Sequence, residues 1–189
     1  MRGNVPGPVP LFGLVLMGGQ STRMGRDKSE LVYHDKPQRE HLTDLLTPFC
    51  ERVYWSVNRQ QFDALTYPAM LLDAHPQIGP LGGVLTALTA HPEAAWLVVP
   101  CDLPNLNART LGTLVAGRDP RVVATAFWNG DHGGPEPLVS IWEPAAGTLL
   151  RVYVAQGLLS PRRFLMQHGV HCLEGYDAHS FENVNAPRR

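Results

Sequence analysis

Apolar positions along the chain fall into two patterns, short continuous runs and a helical spacing of three to four residues. Leu11 to Met17 is a short apolar run closed by Gly18 and Gly19, the pattern of a buried strand ending in a loop. Arg52 to Val57, reading RVYWSV, is rich in aromatic and β-branched residues and predicts a strand closed by Asn58. Ala69 to Leu72 predicts another, ended by Asp73. Ala95 to Pro100, reading AWLVVP, is almost continuously apolar, as parallel strands covered on both faces are, and Asp102 stands just past it. Further strands are predicted over Arg121 to Trp128, Val139 to Trp142 and Val170 to Leu173, with a polar loop over Gly130 to Gly134.

Between these runs the apolar residues take up helical spacing. Leu42, Leu45, Leu46 and Phe49 mark one face of a helix over Gln38 to Phe49, with Pro37 just before its start, where a missing N–H costs nothing. Leu81, Val84, Leu85 and Leu88 mark a second. Gly82 and Gly83 in its first turn are poor helix formers, so something is expected to pack close to them. Asn107 to Gly117, Pro144 to Gln156 and Arg162 to His168 read as helices, the last announced by Ser160-Pro161, and Gln60 to Leu65 as a short one.

Strands alternating with helices predict an α/β fold with a mainly parallel sheet and helices on both faces. Ligands of such sheets bind past the carboxyl ends of the strands. The Gly18 loop, Asn58, Asp73 and Asp102 all stand at such ends. No repeat or linker divides the chain, so a single domain over residues 11–189 is expected, after a loose tail over residues 1–10 that has no apolar core for a signal peptide.

Composition narrows the function. With 189 residues, 44% of them apolar and 17% charged, the chain can bury a substantial core. A net charge of -1 argues against nucleic-acid or membrane binding through bulk charge. Cys50, Cys101 and Cys172 are far apart and form no C-x-x-C, which fits a reducing, cytoplasmic setting and no zinc site. The histidines are scattered; His75, His91 and His132 read as surface residues. No nucleophile elbow occurs.

The chemistry gathers at the first loop. Gly18, Gly19 and Gly25 allow close backbone approach to a ligand, and Arg23, Arg26 and Lys28 supply positive charge, a combination suited to a polyphosphate. The spacing is neither a Walker loop nor a dinucleotide fingerprint. A tight strand-to-helix turn with surface charges remains the alternative for the glycines. A triphosphate normally travels with Mg²⁺, which takes one or two carboxylates beside phosphate oxygens and water. Asp102 is the best candidate ligand; its alternative is a cap on the following turn. Lys28 is the better placed cation for the reacting region, its alternative being a solvated lysine. Phosphoryl and nucleotidyl transfer need positioning and charge rather than a protein nucleophile.

The segment LMGGQSTRMGRDK, Leu16 to Lys28, resembles the signature of MobA-like nucleotidyltransferases, the family of the molybdenum cofactor guanylyltransferases. Lys36-Pro37, Asn58, Asp73, Ile78-Gly79-Pro80-Leu81-Gly82-Gly83, Pro100 to Pro104, Glu136-Pro137-Leu138 and Asn183-Val184-Asn185 follow in the family's order, across nearly the whole chain. The resemblance implies a three-layer Rossmann-like nucleotidyltransferase in which a phosphate oxygen of molybdopterin attacks the α-phosphorus of GTP. It implies that Leu16, Met17, Gly18 and Gly19 hold nucleotide through backbone groups. Lys28, Asn58, Asp73 and Asp102 would complete the GTP site, Asp102 binding Mg²⁺, Arg23 would assist the phosphates, and Asn183 and Asn185 would face the pterin or the metal. Molybdoenzymes or other cofactor-biosynthesis proteins are the implied recipients.

Three departures stand out. Met17 replaces the family's alanine, where only backbone matters. Gln38-Arg39 replaces a common apolar pair, predicting a more polar helix start or a partner contact. The chain ends soon after Asn185, where family members often continue into another helix, which bears on the acceptor site. Two alternatives stay open at this level: a related nucleotidyltransferase using CTP or another phosphorylated acceptor, and a non-catalytic subunit that binds the cofactor and hands it on.

Overall fold

The computed structural model describes residues 9–17 and 28–183. Its centre is a seven-stranded sheet in the order β3-β2-β1-β4-β6-β5-β7. The strands are β1 Leu11–Leu16, β2 Arg52–Val57, β3 Met70–Leu72, β4 Ala95–Pro100, β5 Ala124–Asn129, β6 Gly134–Trp142 and β7 Val170–Leu173. All run parallel except β6, which is antiparallel to both β4 and β5. The expected α/β class with a mainly parallel sheet is therefore present.

Side-chain alternation divides the core between the two faces of the sheet. Leu14 and Leu16 of β1 and Trp96 and Val98 of β4 point to one face. Helices α3 (Pro80–Ala90), α5 (Ala146–Ala155) and α6 (Pro161–His168) cover it. Val15 and Ala95, Leu97 and Val99 point to the other, under α1 (Gln38–Leu46) and α4 (Ala108–Ala116). Leu14, Val15, Trp96, Leu97, Val98 and Val99 are all fully buried. Burial on both faces explains why AWLVVP is apolar at every position. The short helix α2 (Arg59–Ala64) lies between β2 and β3.

Several boundaries differ from the sequence expectation for local reasons. Helix α1 stops at Leu46, not Phe49: Thr47 keeps helical dihedrals and its N–H still reaches the Thr43 carbonyl, but Pro48 after it has no N–H with which to continue the ladder. Strand β5 starts at Ala124 rather than Arg121. The Arg121 N–H and guanidinium both donate to the Asp119 carboxylate, at 3.0 and 2.8 Å, and hold that stretch in a turn. The Asp119 carboxyl lies well below the usual carboxylate range, chiefly through these bonds to Arg121. Strand β6 starts five residues earlier than Val139. Pro135 and Pro137 lack the N–H a regular ladder needs, and the β5–β6 register shifts there. His91 is not a plain surface residue: its ring packs against Phe12 at 5.4 Å and Tyr54 at 5.1 Å.

The expected tail ends in contact with the sheet. Pro10 offers its carbonyl to the Ala95 N–H at 2.9 Å. The rest of the tail, residues 1–8, lies outside the described residues.

Candidate active site

The site is set by strand order. Four parallel strands, β3, β2, β1 and β4, stand side by side, so their carboxyl ends share one rim. Backbone bonds carry the register past the strands. The Met17 N–H donates to the Ser56 carbonyl at 3.0 Å, the Asp73 N–H to Val57 at 2.8 Å and the Cys101 N–H to Leu16 at 3.2 Å. Asn58, Asp73 and Asp102 therefore emerge on the same edge as the end of β1. Because β6 runs the other way, its first residues, including Glu136, reach that rim as well.

On one side of β1 lies an open cleft of about 460 Å³ lined by Asn58, Arg59, Gln60, Leu72, Asp73 and Pro76. Asn58 caps α2. Its side chain accepts from the Gln61 N–H at 2.9 Å, and Gln61 returns a bond to the Asn58 backbone at 3.0 Å. Asn58 thus has a structural duty besides the one implied by the family resemblance.

Asp73 has two settled contacts. Its Oδ1 accepts from the His75 N–H at 2.7 Å and lies 3.4 Å from the Thr86 hydroxyl. Both partners hold the carboxylate against the first turn of α3. Gly82 makes this possible: a Cβ there would lie 2.3 Å from the His75 carbonyl and 2.8 Å from Asp73 Oδ1. At Gly83 a Cβ would lie 2.5 Å from the Ser56 hydroxyl and 2.7 Å from a Leu16 methyl. The close packing expected at this glycine pair is present. Gly82→Ala is expected to cost about 2 kcal/mol of stability by overpacking and to displace the 73–75 turn. Thermal unfolding checks this, and an unchanged midpoint would show that the turn yields freely.

On the other side of β1 stands Asp102, half-buried in the turn after β4. Its Oδ2 accepts from the Asn183 side-chain amide at 2.8 Å, so two residues singled out from sequence meet although 81 positions separate them. Segment 33–38 supports the same turn. The Gln38 amide donates to the Leu103 carbonyl at 3.2 Å, and a His34 ring nitrogen lies 2.7 Å from the Pro104 carbonyl. The Tyr33 hydroxyl is buried without a hydrogen-bond partner among the described residues. Burial, then the negative charge of Asp102, then Cys101, push its pKa up.

Gln38 and Arg39 turn inward rather than toward a partner. Gln38 is fully buried. Arg39 lies 3.6 Å from Glu30, with its guanidinium 5.8 Å from the Trp55 ring centre. The polar helix start is used to grip the Asp102 turn and the face of β2.

The end of β1 offers less free backbone than the sequence reading supposes. The Met17 N–H is committed to Ser56, and the Met17 carbonyl lies 3.4 Å from the Gln61 amide. The Leu16 carbonyl accepts from Cys101. What remains there is the second lone pair of each carbonyl. Gly18, Gly19, Arg23 and Asn185 lie outside the described residues, as does the Lys28 side chain; the Lys28 backbone opens a 3₁₀ turn, Lys28–Glu30. Tyr33 and Ser180 at the Asp102 side were not singled out from sequence; Gln38 was, as part of a polar helix start, but not as a support of the Asp102 turn.

The donor set fits a metal that arrives with its substrate. Among the described residues no three His, Cys, Asp or Glu side chains are grouped to hold an ion. One carboxylate with an adjacent amide is nevertheless the sparse oxygen set that Mg²⁺ accepts when phosphates and water fill its other positions. Among the described residues no helix is long and apolar enough to cross a membrane.

Comparison with known proteins agrees with this geometry. The chain is 34% identical over 180 residues to the molybdenum cofactor biosynthesis bifunctional protein of Synechocystis sp., covering 94% of this chain and 52% of that one, so it spans about half of that relative. It is 32% identical to the molybdenum cofactor guanylyltransferase of Xanthomonas euvesicatoria pv. vesicatoria, covering 95% of this chain and 92% of that protein. The crystal structure of molybdopterin-guanine dinucleotide biosynthesis protein A from Archaeoglobus fulgidus superposes with a TM-score of 0.75 over 93% of both chains at 21% identity, which shows the shared fold. The MobA-like NTP transferase domain matches residues 13–172, and with a sheet whose loops place Asp73 and Asp102 on one rim, the chain belongs to that family of nucleotidyltransferases.

Proposed function

We propose that this protein transfers GMP from GTP to molybdopterin, releasing pyrophosphate and forming the guanine dinucleotide of the cofactor. The observation that carries the reading is the Asp102–Asn183 pair on the rim beside β1, opposite the Asn58–Asp73 cleft. A nucleotide laid across the end of β1 would put its base in the cleft and its phosphates between the Gly18-Gly19 loop and Asp102. A phosphate oxygen of the acceptor attacks the α-phosphorus; the bond from that phosphorus to the bridging oxygen breaks, and the electron pair leaves with pyrophosphate. Mg²⁺ at Asp102 would supply charge neutralisation for the phosphates. Lys28 and Arg23 add positive charge to the leaving group, while Gly18 and Gly19 bring backbone N–H groups close. Asn183 and Asn185 would serve the pterin side or the metal, and the Asn183 bond to Asp102 favours the metal for that residue. Identity above 30% to guanylyltransferases along most of the chain supports GTP and molybdopterin as the substrates.

The test is to incubate the protein with Mg²⁺, molybdopterin and each nucleoside triphosphate in turn, following pyrophosphate and the dinucleotide product. Turnover with GTP and acceptor together is expected. Turnover with CTP alone would overturn the guanine assignment, and binding without release of pyrophosphate would favour a cofactor-carrying subunit.

A further inference from the structure

Ser180 lies between β7 and Asn183 and is wholly buried, in a segment whose neighbours Glu182 and Asn183 are exposed. A serine hydroxyl has one proton and two acceptor lone pairs. The proton goes to Asp177 Oδ2 at 2.6 Å. The Asn107 amide donates to the oxygen at 2.7 Å, and the Thr110 hydroxyl lies 3.2 Å from it. Asn107 also caps α4, its Oδ1 accepting from the Thr110 N–H at 3.0 Å. Ser180 is therefore fastened to the start of a packed helix.

That anchor sits at one end of a seam. The loop from Asp102 to Asn107 and the segment from Asp177 to Asn183 are joined at three points: Asn107 with Ser180, Asn105 with Glu182 at 3.2 Å, and Asp102 with Asn183. Phe181 adds ring contacts to Tyr176 at 4.4 Å and Phe127 at 5.7 Å. Only the Ser180 junction is buried. An exposed amide–carboxylate bond is weak alone, since water competes for both groups, and it persists only where the chain holds its partners together.

We propose that Ser180 is a positioning residue for the GMP transfer inferred above: by locking the 177–183 segment to the α4 cap, it keeps the Asn183 amide on Asp102 and so holds that carboxylate in one orientation. The proposal rests on the guanylyl-transfer reading for its kinetic arm, but not for its structural arm.

Two measurements test it. In Ser180→Ala, the side-chain amide resonance of Asn183 is expected to move to the position it takes in Asp102→Ala, because both lose the same bond. An unmoved resonance would overturn the proposal whatever the activity. In the kinetic arm, Ser180→Ala is expected to lower kcat about tenfold with the KM for GTP nearly unchanged. Placed on Asn183→Ala, it should lower kcat no further, since residues acting through one contact are not additive. Multiplying effects would mean that Ser180 acts otherwise and would overturn the assignment. A moved resonance in a protein with no transfer activity would uphold the anchor and reject the proposed function alone.

Discussion

Asp102→Ala is expected to reduce turnover by about 10³ or more while the protein remains folded, the loss that follows from removing a group that holds a phosphate-bound metal, worth several kcal/mol. The structure separates this from unfolding. Asp102 is only half-buried in a turn, and its loss takes one acceptor from the Asn183 amide, at about 1 kcal/mol. The turn itself keeps the Gln38 bond to Leu103 and the Cys101 bond to Leu16. Pyrophosphate release at saturating GTP and Mg²⁺, beside a thermal melt, reads both quantities. Asp102→Asn sharpens the result: it keeps an acceptor oxygen for Asn183 but loses the charge, and is expected to be nearly as inactive. Turnover like that of the parent protein in either variant would remove the metal role from this residue.

Lys28→Ala should slow transfer by roughly 10²–10³, the usual cost of removing one donor aimed at charge that develops in the transition state. The effect is expected in kcat more than in the affinity for GTP, because the charge that the ammonium meets grows as pyrophosphate departs. Lys28 follows the glycine loop directly and opens the 3₁₀ turn Lys28–Glu30, whose next residue, Ser29, is fully buried. Lys28→Arg retains the charge with a different shape and is expected to recover only part of the rate, since a guanidinium fork does not replace a compact ammonium. An unchanged rate in Lys28→Ala would return this residue to the solvated surface.

Much of this was legible without coordinates because it depends on local chemistry. Uninterrupted apolar character in AWLVVP reports a strand with both faces covered, and β4 is such a strand. Glycines at 82 and 83, costly in a helix start, report a close neighbour, which proves to be the Asp73 carboxylate and His75 carbonyl at one and Ser56 with Leu16 at the other. Where local signals were misread, a nearby residue explains it: Pro48 shortens α1, and Asp119 delays β5.

By itself, then, the sequence determined which residues end the strands and what chemistry they carry: Asn58, Asp73 and Asp102 each follow a run whose period and composition are set within a few residues. Only the tertiary structure decided their company. The meeting of Asn183 with Asp102, the burial of Gln38 under the Asp102 turn, the commitment of the Met17 N–H to Ser56 and the anchoring of Ser180 at the α4 cap all depend on which strands became neighbours. Strand order follows from how helices pack across the two faces of the sheet, a balance of contacts between distant segments that leaves no mark in the residues flanking any one of them.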